Sequence, residues 1–294
     1  MPASEATVVD DRAPTREPAA APPSRRPLGI GGRLLRFAEA VWRPLILLGV
    51  LFVVWWFVSA RELLLPQYLL PTPGQVWDKT IEEWPALLEN TSVTLYETVI
   101  GFVLASVLGL ATAILIVYSS TMEKTLYPIV LFAQVIPKIA IAPLLIAWWG
   151  TGLGPKITLA VLIAFFPVVI SGVTGLRSTD PELLDLSATM GAGRWKTFRK
   201  IRFPNALPHL MAGEKVAVTL AVVGAVVGEF VGADAGLGRV LLQANGNLDG
   251  ALLFADLILM SLIGIVLFVL VEIAEALLIP WHASRRSGTP LTTS

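Results

Sequence analysis

The sequence predicts an all-α membrane protein with six transmembrane helices, and three observations lead there. The 294 residues are 55% hydrophobic and 15% charged, with a mean hydropathy of +0.72, which is a membrane-protein profile. Six apolar runs, near residues 44–60, 91–117, 125–149, 156–176, 207–231 and 252–280, are each long enough for a hydrocarbon core of roughly 30 Å. A single long polar insert, residues 179–208, separates the fourth run from the fifth and must lie in water.

Composition also removes several functions. Lys plus Arg and Asp plus Glu are 22 each, so the net charge is zero and no bulk positive field favours nucleic acid. There is no cysteine, hence no disulfide framework, thiol chemistry or thiolate metal site. The two histidines, His209 and His282, are far apart in sequence, so no metal site is expected.

Taken in order, residues 1–40 read as a disordered cytoplasmic tail. They are rich in Ala, Pro and Arg, cannot bury enough apolar surface to fold alone, and lack the apolar core of a signal peptide. A six-helix domain is expected over 41–283, followed by a short cytoplasmic tail, 284–294. Between the first two spans, residues 61–89 are too polar to cross and read as an external loop with a short surface helix. The tail arginines, Lys124, Arg177, the five basic residues of 194–202, Arg285 and Arg286 together put sixteen of the 22 basic residues on one side. Arg61, Lys79, Lys156 and Arg239 fall on the other. The positive-inside rule therefore places both termini and the polar insert in the cytoplasm. Trp42 and Trp281 mark the inner boundary, and Trp55, Trp56, Trp148 and Trp149 the outer one.

The third and fourth spans contain Pro128, Pro137, Pro143 and Pro167. Their freed backbone groups imply either a wet transport route or kinks that serve packing. In the fifth span, Gly224, Gly228 and Gly232 recur every four residues, a stripe that lets another helix approach closely. Intramembrane ionisable residues are the natural site candidates. Lys138 follows Pro137, Glu97 lies in the second span, Glu229 near the outer end of the fifth, and Asp256 near the start of the sixth. Lys138 would meet either an anionic substrate group on a translocation pathway or a buried carboxylate, with Glu229 and Glu97 as its companions. Glu214 and Lys215 read as gate or packing charges. The segment from Asp234 to Gly238, DAGLG, is either a mobile external gate or a turn.

No catalytic signature occurs. The run from Gly150 to Lys156, GTGLGPK, has Pro155 before the lysine, no Ser or Thr after it and no preceding strand, so it is not a phosphate loop. No His-Glu-x-x-His or Gly-x-Ser-x-Gly is present. The chain is therefore read as a non-enzyme that cannot hydrolyse ATP itself.

The polar insert is the most informative stretch. Asp180 can cap a helix whose first turn holds Pro181 and Glu182, with Leu183, Leu184, Leu186 and Met190 on one face. Gly191 and Gly193 break that helix, and a second, 194–202, is basic and is expected to stop at Pro204. Asp185-Leu186-Ser187 is followed after three residues by Gly191, and after nine more by Ile201-Arg202-Phe203-Pro204. This spacing resembles the cytoplasmic Glu-Ala-Ala loop of ABC-importer permeases, with Asp for Glu, Leu and Ser for the two Ala, and Phe for Leu. The stretches LLPTPGQVW, IPKIAIAPLLIAWWGTGLGPK and AVVGEFVGADAGLG are similar to permeases of the nitrate, sulfonate, taurine and pyrimidine-precursor group. The resemblance covers residues 45–280. It implies a type I ABC importer permease fold with cytoplasmic coupling helices at 179–205, in a bacterial inner membrane. It implies a homodimer in the lipid bilayer, a cytoplasmic ABC ATPase dimer that binds the ATP and Mg, and an extracytoplasmic substrate-binding protein. The coupling residues carried over are Asp185, Leu186, Ser187, Gly191, Ala192, Gly193, Ile201 and Pro204. The other reading of the membrane carboxylates is an ion-coupled secondary transporter.

Overall fold

A computed structural model describes residues 30–63, 65–232 and 234–280. Most of the expected N-terminal tail and all of the C-terminal one lie outside these residues. Among the described residues there are only helices and their connections. Helix α1, Ile30–Ala60, starts ten residues earlier than the tail was expected to end. Leu34, Leu35, Ala38 and Ala40 are strong helix formers, and the helix continues through Pro44 into the apolar run. The chain divides into a unit up to Val53 and a second from Val54 onward; the second contains all the elements that follow.

Outside the first run lies α2, Pro73–Glu82, the expected surface helix. Thr72 and Gln75 close a reciprocal cap at its start: the Gln75 amide donates to Thr72 Oγ1 at 3.3 Å, and the Thr72 amide to Gln75 Oε1 at 2.9 Å. Next come α3, Trp84–Tyr118, and α4, Ser120–Ala133. A 3₁₀ turn, Lys138–Ile141, leads into α5, Ala142–Trp149. The second and fourth spans are α3 and α6, Leu153–Arg177. Beyond α6 are α7, Pro181–Thr189, and α8, Arg194–Thr197. A π turn, Phe198–Arg202, joins α8 to α9, Phe203–Phe230. The last elements are α10, Leu237–Gly246, and α11, Gly250–Leu278.

The prolines of the third run do break it, as a broken or kinked span requires: α4 and the Lys138–Trp149 segment meet at 85°. Pro137 supplies no amide at the break and disfavours helical geometry at Ile136, and Pro143 starts α5 afresh. Four described helices are long and apolar enough to cross a membrane unaided, or five if the bent pair counts as one, beside the shorter apolar segment Leu45–Ala60. Pro204, expected to stop the second loop helix, does not. The helix runs on from Arg194 to Phe230, because the π turn takes up the proline: the Phe203 amide reaches back to Phe198 O, and the widened turn relieves the ring clash and missing donor.

The core is α6 held between α3 and α9, and its spacing is set by glycine. A Cβ on Gly101 of α3 would lie 2.5 Å from Ala160 Cβ, and one on Gly224 of α9 would lie 2.6 Å from Ala160 Cα. Ala160 therefore has a glycine on either side. One turn away, Gly228 presses on Lys156 Cα with 2.9 Å left for a Cβ. At the other end of the pair, Gly175 and Gly213 meet Ala206 O and Ser171 in the same way. The glycine stripe is thus an intrachain packing surface, and Gly232 does not belong to it, being a turn residue at φ +149°.

Replacing Gly224 with valine should lower thermal stability in detergent by about 1–3 kcal/mol through overpacking. Gly264→Ala, where nothing lies within 4 Å of the new Cβ and alanine is the better helix former, should not lower the melting temperature. A Gly224→Val protein that melts with the parent would show that the two backbones are not in contact.

Candidate functional site

The polar insert and the far ends of α3, α6 and α9 form two constellations at opposite ends of the bundle. At the first, Asp180 caps α7 through its Oδ1, which accepts from the Glu182 amide at 3.0 Å. The helix ends in a Schellman arrangement: the Gly191 amide donates to Ala188 O at 3.0 Å and the Ala192 amide to Ser187 O at 2.9 Å. Gly191 sits at φ +70° with open space where a Cβ would be. Its requirement is backbone conformation and not room. Gly193 has an ordinary extended backbone, so only one of the two expected breakers is conformationally necessary.

Ser187 is the tie between the arms of the insert. It is buried, and its hydroxyl donates to Leu184 O at 2.8 Å. That proton being committed, Thr197 is the donor in the 3.2 Å contact between the two hydroxyls. Phe198 anchors the second arm against Leu176, Ala206 and Leu210, and Asn205 Nδ2 reaches Ser178 and Thr179 at 3.4 Å. Asp185 and Leu186 are exposed, Ala192 is partly and Gly193 fully exposed, and Ile201 and Pro204 are half-buried. Leu183, Leu186 and Met190 stand in the open, Met190 at 77% exposure. With Ile201 and the stems of Lys196 and Lys200 they line a cleft of about 290 Å3 between the arms. An isolated chain has no folding reason to present three large apolar side chains together at a polar surface.

At the opposite end, charge is enclosed. Lys156 donates to Glu97 Oε1 at 3.0 Å and to Ala235 O at 3.3 Å. Glu229 accepts from Thr94 Oγ1 and from the Gly238 amide, both at 2.6 Å. The Gly236 amide donates to Asn90 Oδ1 and the Leu237 amide to Thr94 Oγ1, each at 2.8 Å. Glu97, Glu229 and Thr94 are at most 1% exposed and Lys156 4%. The DAGLG segment is therefore neither loose nor a plain turn: side chains of α3, α6 and α9 hold its backbone. Gly236, at φ +116°, lies so close that a Cβ would collide with the Glu229 carboxylate.

This corrects the pairing expected for Lys138. Of the two lysines it is Lys156, which the sequence analysis put at the outer edge of the fourth span, that meets a fully buried carboxylate. Lys138 instead donates to Gln134 O at 2.7 Å and lies 4.5 Å from the centre of the Phe166 ring. At the broken helix its ammonium serves the carbonyl four residues back that its own amide would otherwise have reached. Asp256 is fully buried, and among the described residues neither of its carboxylate oxygens nor Glu97 Oε2 has a hydrogen-bond partner. Glu214 accepts from Ser106 on α3, and Lys215 pairs with Glu275 on α11, so both act as interhelical ties.

Against this geometry the comparisons are decisive. Residues 101–281 match the family described as the binding-protein-dependent transport system inner membrane component. The chain belongs to that family. It is 36% identical over 234 residues, 79% of this chain and 93% of the relative, to the formylaminopyrimidine transport permease protein ThiX of Halalkalibacterium halodurans. It is also 36% identical, over 240 residues, to the riboflavin transport system permease protein RibX of Chloroflexus aurantiacus, covering 80% and 88% of the two chains. Permeases named for aliphatic sulfonates, taurine and nitrate match at 26–28%. In fold the chain matches a structure of the MetNI methionine ABC transporter in inward-facing conformations. The TM-score is 0.58 at 22% identity, over 68% of this chain and all but 3% of that one. The chain is thus an ABC-importer permease of the type I fold, and the secondary-transporter reading falls.

Lys156→Met should strand Glu97 in the interior and cost about 3–5 kcal/mol of stability. Adding Glu97→Gln should recover most of the loss, while Lys138→Met alone should cost far less. Thermal unfolding of the purified variants gives the ranking, and equal losses for the two lysines would remove the distinction.

Proposed function

We propose that this permease subunit forms, as a homodimer, the translocation pathway of an ATP-driven importer for a small nitrogen heterocycle of the pyrimidine-precursor kind. The observation that carries the coupling half is the open apolar cleft on the insert 179–205. Its hairpin is fixed by the Gly191 turn and the Ser187–Thr197 tie, and Leu183, Leu186 and Met190 await a partner surface. That partner is a cytoplasmic ABC ATPase, which binds ATP and Mg; this subunit has no ATP site of its own and needs no cofactor. Substrate arrives from an extracytoplasmic binding protein at the α10 end. The substrate class rests on the relatives named for formylaminopyrimidine and riboflavin, which are more similar than those named for sulfonates, taurine and nitrate.

In this reading both termini and the insert are cytoplasmic, and the clamped DAGLG segment faces outward. ATP-driven movement enters through α7 and α8, and the pathway opens alternately to either side. Lys138, at the bend of the third span, remains the candidate on the pathway. Glu97 and Glu229 serve it by holding the outer closure.

Gly191→Val should insert and fold yet lose ATPase docking and uptake by reconstituted vesicles. Gly191→Asn, which tolerates positive φ, should keep a large part of both; full transport by the valine variant would refute the coupling role. With no native cysteine, a thiol introduced at Ala235 should react with an impermeant reagent in intact cells, and one at Asp185 only after permeabilisation. The reverse pattern would invert the topology.

A further inference from the structure

Two further clefts flank the second loop arm on the side of α3, one of them backing onto the cleft assigned to the ATPase through Ser187, Ala192 and Thr197. One, of about 420 Å3, is lined by Ile114, Tyr118, Trp195 and Phe198 with Arg194 at its edge. The other, of about 350 Å3, shares Tyr118 and Arg194 with the first and adds Arg202 and the polar ends of Ser187 and Thr197. An apolar hollow thus abuts a basic one across a common wall. Trp195 is 72% exposed, yet its ring is ordered by stacking on Phe198 at 5.6 Å. Phe198 in turn meets Tyr118 edge-on at 5.8 Å.

The two arginines are uncompensated. Arg177, nearby, pairs with Glu123 at 2.7 Å. Among the described residues neither Arg194 nor Arg202 has a carboxylate partner, and Arg202 is held by its face over the Tyr118 ring at 5.3 Å. That stacking leaves the guanidinium's edge donors free for a planar or tetrahedral anion. The depth of the site indicates what brings the anion. Ile114 and Tyr118 belong to the last turn of α3, a membrane-crossing helix, so the apolar hollow lies at the acyl level and the arginines at the headgroup level.

We propose that this double cleft binds one anionic phospholipid of the inner leaflet, its phosphate between Arg194 and Arg202 and an acyl chain against Ile114, Trp195 and Phe198. A soluble phosphate ester has no use for the apolar half. The lipid would tether the second arm of the coupling insert to the membrane surface. The inference rests on the insert lying at the cytoplasmic face. Its test is separable from that reading: lipid selectivity is measured on the permease alone, whereas the coupling role is read from docking and uptake.

The full-length protein in detergent is titrated with phosphatidylglycerol and with phosphatidylcholine of identical acyl chains, and bound lipids are counted by native mass spectrometry. One phosphatidylglycerol should be retained that phosphatidylcholine does not match. Arg194→Ala with Arg202→Ala should weaken it about 30-fold, the product of two basic contacts of ordinary strength. The corresponding double lysine variant should keep most of the affinity. If the double alanine protein aggregates, Trp195→Ala must by itself weaken retention of the same lipid. Equal binding of the two lipids or unchanged binding by the alanine variant would overturn the proposal. So would displacement by millimolar inorganic phosphate, or ejection of the lipid when the ATPase subunit is added.

Discussion

Everything else in the bundle depends on how closely α6 can lie between its two neighbours. Gly101, Gly224 and Gly228 remove side chains where the backbones meet, and the helical repeat does the rest. Glu97 precedes Gly101 by four residues, Lys156 precedes Ala160 by four, and Gly228 follows Gly224 by four. The packing step that seats Ala160 between two glycines therefore brings Lys156 opposite Glu97 one turn away. Packing register and ion-pair register are the same register. A buried ion pair adds little net stability, but it is costly to misplace, so it opposes any slip of α6 along its partners.

The same closeness explains how the DAGLG segment is held. With α3 and α9 drawn together around α6, Thr94 and Glu229 come within 2.6 Å, and between them they bind the amides of Leu237 and Gly238. Gly236 lets the chain turn directly over the carboxylate. The segment is then secured by groups on three helices at once, and its hold depends on those helices keeping their spacing.

The membrane class, the apolar runs, the surface helix and the helix-turn-helix of the polar insert were legible because each is written locally, in a run length, a cap or a fixed spacing. Asp180, Gly191 and the nine-residue step to Ile201 are of this kind. The identity of the buried lysine was not legible. Lys138 stands inside an apolar run and Lys156 at the edge of one, so span position favoured the wrong residue; only the glycine-set approach of α3 and α9 shows which lysine is enclosed. Which proline of the third span would break it, and the passage through Pro204, were missed for a related reason. A proline announces a missing donor, but whether the chain breaks, as at Pro137, or widens by one residue, as before Phe203, depends on what the next turn packs against. Phe198 and Phe203, both in the cluster at the foot of the insert, hold the chain helical there.

That uninterrupted passage gives the chain a shaft. From Arg194 to Phe230 the helix is continuous over 37 residues, about 55 Å at the usual rise, and its two ends carry the basic arm of the polar insert and the carboxylate that holds the DAGLG segment. Its two soft points, the π turn and Pro208, both lie near the basic end. Under the proposed coupling, a twist applied there would pass through the remaining turns to Glu229 as a rotation of the same sense, with little of the stroke absorbed on the way.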